Sequence, residues 1–386
     1  LTDHQPNTAN ALIGEGVRLT IRRIETVPIR VPLGRVYRGS YYSMSHRSTI
    51  VTRVYTDEGI VGEAYAGDED AGLLEIDAII HNEIAPILIG ADALSIERCW
   101  ELARPATFNI LRDPRLGLVA CACVDGALWD AVGKALGLPL WKLWGGYRDT
   151  LPIISIGGYY DSGMTPAEEV QSLRAAGLAG MKFKVGGRDP RTDAARFLEA
   201  REAAGADFVL AADANQGWTR EQAITFARAV DGADLHWFEE PCRWHNDRRA
   251  MRDVRTMAGV AVCAGQSELS IGGCRDLMVE GSIDVCNFDS SWSGGATEWR
   301  RVAAMATGFD VRMAHHEEPQ IASHLLASIP HGTFVECFDQ DRDPIWWNIV
   351  VNRPEIVAGH IRLPPGPGLG WTLDEDFIER HRFARD

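Results

Sequence analysis

Positive charge is scarce in this 386-residue chain: 39 lysines and arginines face 54 aspartates and glutamates, for a formal net charge of −15. Nucleic-acid binding depends on cationic contacts to phosphate, so no nucleic-acid partner is expected. Long apolar runs are also missing. No stretch approaches the ~18–20 apolar residues of a membrane span, so no membrane partner is expected either. The opening LTDHQPNTANALIGEG has neither a basic start nor an apolar stretch and predicts a flexible tail over residues 1–16 rather than a signal peptide. No C-x-x-C pair occurs, and the eight cysteines are scattered, apart from Cys121 and Cys123 in LVACACVDGALWD. Buried, reduced thiols in a cytoplasmic protein are the natural reading.

What is present is core material. Hydrophobic residues make up 46% and charged residues 24%, enough to fill a barrel and a smaller domain. From Leu151 onward a strand–helix unit repeats. Strands are predicted at PIISI (152), MKFKV (181), FVLAADA (208), LHWFEE (235), VAVCA (260), IDVCNF (283), FDVRM (309) and TFVECF (333). Their starts lie 23 to 29 residues apart, the size of one βα unit. Eight such units predict a closed (β/α)8 barrel over 151–340. Thr165-Pro166-Ala167-Glu168 and Thr219 with Gln222 are helix-starting capping boxes. Before residue 150 the pattern changes. RLTIRRIETVPIRVPL and STIVTRVYTDEGIVGEAYAG read as antiparallel strands turning at Asp57-Glu58-Gly59, with helical stretches near 70–104 and 118–137. Residues 17–150 are thus expected to form an α+β domain, and the Pro- and Gly-rich segment 341–386 to return to it.

Charged groups at barrel-strand ends are costly unless they work. Here they end seven consecutive strands: Lys182 and Lys184; Asp213 and Asn215; Glu239 and Glu240; Gln266 and Glu268; Asp289; His315 and His316; Glu336. One such residue alone would read as a satisfied structural group. Carboxylates from adjacent strands make a hard oxygen cage suited to Mg2+. Histidine is a poor Mg2+ ligand, which leaves His316 for proton transfer, with Asp289 one strand earlier to fix its tautomer. Lys184 beside a dication and Lys182 should find its ammonium form disfavoured and serve as a base.

At these residues the sequence resembles the mandelate racemase group of the enolase superfamily, over roughly 18–375. TDEGIVGEAY and VDGALWDAVGKALGLPLWKLWGG look like that superfamily's capping domain. The resemblance implies a Lys or His base with Mg2+ stabilising an ene-diolate. In it the K-x-K supplies the base, Lys184, with Lys182 beside it; D-x-N supplies the first metal ligand, Asp213, and E-E-P the second, Glu239. HLLAS anchors His316 as the second acid–base residue, with Asp289 as its partner. Glu336 matches the family's hydrogen-bond donor to the substrate carboxylate.

The departure is on the fifth strand, where the family's Gly-Glu is replaced by Gly265-Gln266-Ser267-Glu268. Residues 266 and 268 would share a strand face. Glu268 is the preferred third ligand because a neutral amide weakens the cage. Gln266 through its amide oxygen, or no third ligand at all, remain alternatives. Arg38, Tyr41, Tyr42 and His46 from the capping stretch, with Tyr159, Trp244, His245 and Trp292, form a donor-rich rim suited to a polyhydroxylated acid; ordinary surface contacts are the plain alternative.

The resemblance implies dehydration of a sugar acid to a 2-keto-3-deoxy acid, ahead of racemisation or epimerisation of a 2-hydroxy acid. A metal-free Schiff-base lyase using Lys184 and a non-catalytic family member stay open. A small-molecule carboxylate partner and a homo-oligomer are expected.

Overall fold

The computed structural model describes residues 18–68 and 70–384, so the expected tail over 1–16 lies outside the described residues. Strands β1 (Ile21–Arg38), β2 (Ser43–Thr56) and β3 (Val61–Ala66) form an antiparallel sheet in that order. The β2–β3 turn runs through Asp57-Glu58-Gly59, where Gly59 takes a φ of +74° that a side chain would resist.

Helix Pro114–Leu136 lies against this sheet. Asp113 starts it by accepting a hydrogen bond from Arg115 N at 2.9 Å, and Gly137 ends it in the left-handed region. This helix corrects the expectation drawn from apolar runs. It is long and apolar enough by composition to cross a membrane, but 83% of its most apolar window is buried inside the fold, as the core helix of the cap.

Eight parallel strands follow: β4 (Thr150–Gly157), β5 (Gly180–Lys184), β6 (Val209–Asp213), β7 (Phe238–Glu239), β8 (Val262–Ala264), β9 (Val285–Cys286), β10 (Arg312–Met313) and β11 (Val335–Phe338). Each pairs with the next from β4 to β10, and β11 pairs back onto β4. The seam between β10 and β11 is closed by Met313 N to His331 O and Thr333 N to Met313 O, both 2.9 Å. A twelfth strand, β12 (His360–Arg362), pairs antiparallel with β4. Both predicted capping boxes form, at Thr165 with Glu168 and at Thr219 with Gln222.

Side chains alternate along a strand, so one face of each strand lines the lumen. Ile154, Ala211, Trp237, Cys263, Val285 and Ala314 plug it, with Phe334 packed against them. Burying each large apolar side chain contributes about 1.5–3 kcal/mol, which makes the plug a rigid floor. Two residues further on, the same face carries Asp213, Glu239, Gly265, Asn287, His316 and Glu336. The polar rim is the next step of the same alternation.

The C-terminal segment packs on the cap: Ile345, Trp346, Ile349, Phe377 and Ile378 are buried with Val27, Ile29, Val31, Val51 and Tyr65.

Candidate active site

Register sets the site. Lys184 is the β-partner of Asp213, and Asp213 of Glu239, so three functional groups stand side by side on β5, β6 and β7. Adjacent strands are about 4.8 Å apart, within the span of one ion. Lys184 Nζ donates to Asp213 Oδ2 at 2.7 Å and to Asn215 Oδ1 at 3.0 Å. Asn215, in the left-handed region at φ +42°, folds back so that its backbone N donates to Asp213 Oδ1 at 2.8 Å. Lys182 Nζ donates to Glu239 Oε1 at 2.6 Å and to Glu336 Oε2 at 2.8 Å. All five charged groups are essentially sealed from solvent.

Two buried lysines against three buried carboxylates leave the cluster short of positive charge. Burial, reinforced by Asp213 and Glu336, outweighs Lys182 and pushes the Glu239 carboxyl up to about 8. A divalent cation between Asp213 and Glu239 is the charge that would keep both ionised, so the donor set fits a hard metal ion. The expected lowering of Lys184 depends on that ion. Burial alone would lower Lys184, but the adjacent Asp213 carboxylate wins and holds it well above the ordinary lysine range. For the same reason Lys184 holds Asp213 below the ordinary carboxylate range against the opposing effect of burial.

Across the rim, with β4 and β11 between, His316 is buried and held at both nitrogens. Nδ1 lies 2.9 Å from Asp289 Oδ2 and Nε2 lies 3.3 Å from Glu317 Oε1. Asp289 is itself fixed by Ser291 N at 2.8 Å and Ser291 Oγ at 2.7 Å. Burial opposes the imidazolium, but Glu317 and Asp289 outweigh it, and the His316 pKa is raised. Trp292 tilts over the imidazole, with ring centroids 4.8 Å apart.

The fifth strand departs from the expected geometry. β8 ends at Ala264, and Gly265, at φ +139°, turns the chain so that Glu268 N reaches Gly265 O at 3.0 Å. The alternation that would have placed residues 266 and 268 on one face has already stopped. Glu268, the preferred third ligand, instead forms a two-point ion pair with Arg248 Nη2 at 2.8 Å to each oxygen. Gln266 stays inside, exchanging hydrogen bonds with Asn287: Gln266 N to Oδ1 at 3.1 Å and Nδ2 to Gln266 Oε1 at 3.2 Å. Of the other rim residues, Tyr159 is buried, whereas Arg38 is exposed, its backbone O accepting from Tyr160 N at 3.0 Å.

Sequence reasoning passed over three residues. Glu317, adjacent to His316 in HHEEP, has its carboxyl lowered to about 2, since His316 and Arg47 outweigh burial. Arg47 of β2 is buried among Asp68, Glu317, Glu318 and Asp343, pairing with Glu317 and Glu318 at 3.1 Å each. Asp68, Glu317 and Glu318 lie close enough together to hold an ion, but the Arg47 guanidinium fills that cluster. Arg342, beyond β11, is the third. No spacing pattern marked either arginine, because each acts across the cap–barrel boundary.

The N-terminal domain model of mandelate racemase/muconate lactonizing enzyme matches residues 21–145, and an enolase C-terminal domain-like model matches 166–377. A mandelate racemase/muconate lactonizing enzyme crystal structure is 59% identical with a TM-score of 0.94, covering 95% of this chain and 100% of its own. Another, from a marine actinobacterium in complex with magnesium, is 57% identical with a TM-score of 0.91 over 95% of this chain and 100% of its own. The 3,6-anhydro-alpha-L-galactonate cycloisomerase of Streptomyces coelicolor is 30% identical over 93% of this chain and 99% of its own. The L-talarate/galactarate dehydratase of Salmonella typhimurium is 28% identical over 90% of this chain and 87% of its own.

Proposed function

The chain belongs to the mandelate racemase/muconate lactonizing enzyme family of the enolase superfamily, and from that premise we propose that it removes the proton next to a substrate carboxylate and expels the neighbouring hydroxyl, as a sugar-acid dehydratase. Relatives across the family are dehydratases, cycloisomerases and racemases, so an enzyme is the common ground. Asp213 and Glu239 are the residues that would hold Mg2+, with the Gln266 amide oxygen as the fifth-strand alternative. Bound there, the ion supplies a Lewis acid that draws electron density from the substrate carboxylate.

The chain's own residues do the rest. Lys184, once Asp213 is engaged elsewhere, takes the proton from the α-carbon. Lys182 stands beside the developing negative charge. The His316 proton passes to the β-hydroxyl, the C–O bond breaks and water leaves. The enol that remains takes up a proton at the β-carbon, gives up its hydroxyl proton and becomes the 2-keto-3-deoxy acid.

The observation that carries dehydration is the pair of carboxylates around His316. Asp289 at 2.9 Å and Glu317 at 3.3 Å favour an imidazolium, a group ready to give a proton to a leaving hydroxyl. The test is a panel of sugar acids with Mg2+, assayed for 2-keto products. A keto product that EDTA suppresses is expected. Deuterium uptake at the α-carbon with inversion and no ketone would assign racemisation or epimerisation instead, and no exchange in any acid would leave a non-catalytic family member.

A further inference from the structure

Arg342 is a buried cation with no ion-pair partner among the described residues. The residue is 2% exposed, yet its Nε and Nη1 have no hydrogen-bond partner among the described residues. Among the described residues Nη2 reaches only the Met44 thioether, a weak acceptor, at 2.8 Å. No carboxylate among the described residues forms an ion pair with it. The contrast with Arg47 is sharp, since that guanidinium is surrounded by four acids.

Its surroundings place it over the catalytic rim. The guanidinium carbon sits 4.2 Å from the Phe338 ring and 5.8 Å from the Tyr37 and Tyr159 rings. The Tyr159 hydroxyl in the same wall is also buried and without a partner among the described residues. On one side the Arg342 charge is felt by Glu317, which touches His316. On the other it is felt by Tyr42, whose ring lies 5.8 Å from Lys184 Nζ. The Arg342 charge thus acts on one neighbour of each acid–base group.

The geometry points to Arg342, with the Tyr159 hydroxyl beside it, as a subsite for a second carboxylate at the far end of the substrate, which makes dicarboxylic sugar acids the preferred class. A hydroxyl would satisfy a donor but leave the buried guanidinium without an ion pair; a carboxylate supplies both. The inference rests on the reading of the rim as a site for carboxylate substrates.

The test compares matched pairs of acids that differ only in the terminal group, such as galactarate with galactonate, across several stereochemical series. Binding to the Mg2+-loaded protein is measured by calorimetry, and α-proton exchange in D2O is followed separately. The diacid should bind at least about tenfold more tightly than its partner in at least one series, the scale of one charge-assisted contact. Arg342→Met should erase that preference and Arg342→Lys should keep part of it. Diacid preference without exchange in any series would sink the proposed reaction while leaving the subsite standing. No diacid preference in any series, or a preference that survives in folded Arg342→Met, overturns the subsite whether or not exchange occurs.

Discussion

At the scale of single residues, the proposed chemistry turns on Lys184, His316 and the groups that hold them. Lys184→Ala and His316→Asn should each lower kcat by about 10²–10⁴, the range for a lost acid or base, with circular dichroism unchanged. Full activity in either would remove that residue from the chemistry. Glu317→Gln is the finer probe. The Glu317 carboxylate is the larger of the charges that raise His316, so its neutralisation should lower the imidazole pKa. The high-pH limb of the activity profile, where the imidazolium is lost, should then move to lower pH. An unmoved limb would show that Glu317 does not act through His316. Glu268→Gln should leave Mg2+ affinity intact and cost about 1 kcal/mol or less through the partly exposed Arg248 pair.

At the scale of elements, the eight barrel strands and both capping boxes were legible because periodicity and local hydrogen bonding write them directly into the sequence. The end of β8 was not. Strict alternation predicts residues 266 and 268 on one strand face, but Gly265 sits at φ +139° and stops the strand. Glycine alone does not announce whether it bends a strand or merely lightens it. Gly265→Ala tests the turn: a Cβ there meets Cys286 Sγ at 2.9 Å and Phe288 N at 3.2 Å. Together with backbone strain of about 1–3 kcal/mol, this should lower the melting temperature and weaken Mg2+ binding. Unchanged stability and unchanged Mg2+ affinity would mean that the turn does not set the rim. The residues proposed for catalysis were legible as types and spacings. The two buried arginines were not, since their partners come from distant segments that only the folded chain brings together.

At the scale of the whole molecule, cap and barrel meet through buried charge. Arg47 of the cap joins Glu317 and Glu318 of the barrel, so Arg47→Met should destabilise the protein by about 3–5 kcal/mol by stranding their carboxylates. Buried acids also set the pH response. Burial pushes Glu318, Glu240 and Asp125 up to about 7 and Glu239 up to about 8. These groups hold protons in the folded state that they lose when unfolded, so stability must fall as pH rises through 7 to 8. The metal-free protein should therefore melt at a lower temperature at pH 8.5 than at pH 6.5, with Mg2+ recovering part of the difference. A flat profile would contradict the buried-acid electrostatics. The most direct measurement is an anomalous difference map from a crystal grown with Mn2+ in place of Mg2+. The predicted peak lies between Asp213 and Glu239, with Glu268 still on Arg248; a peak among Asp68, Glu317 and Glu318, or none at all, would contradict the shared metal site.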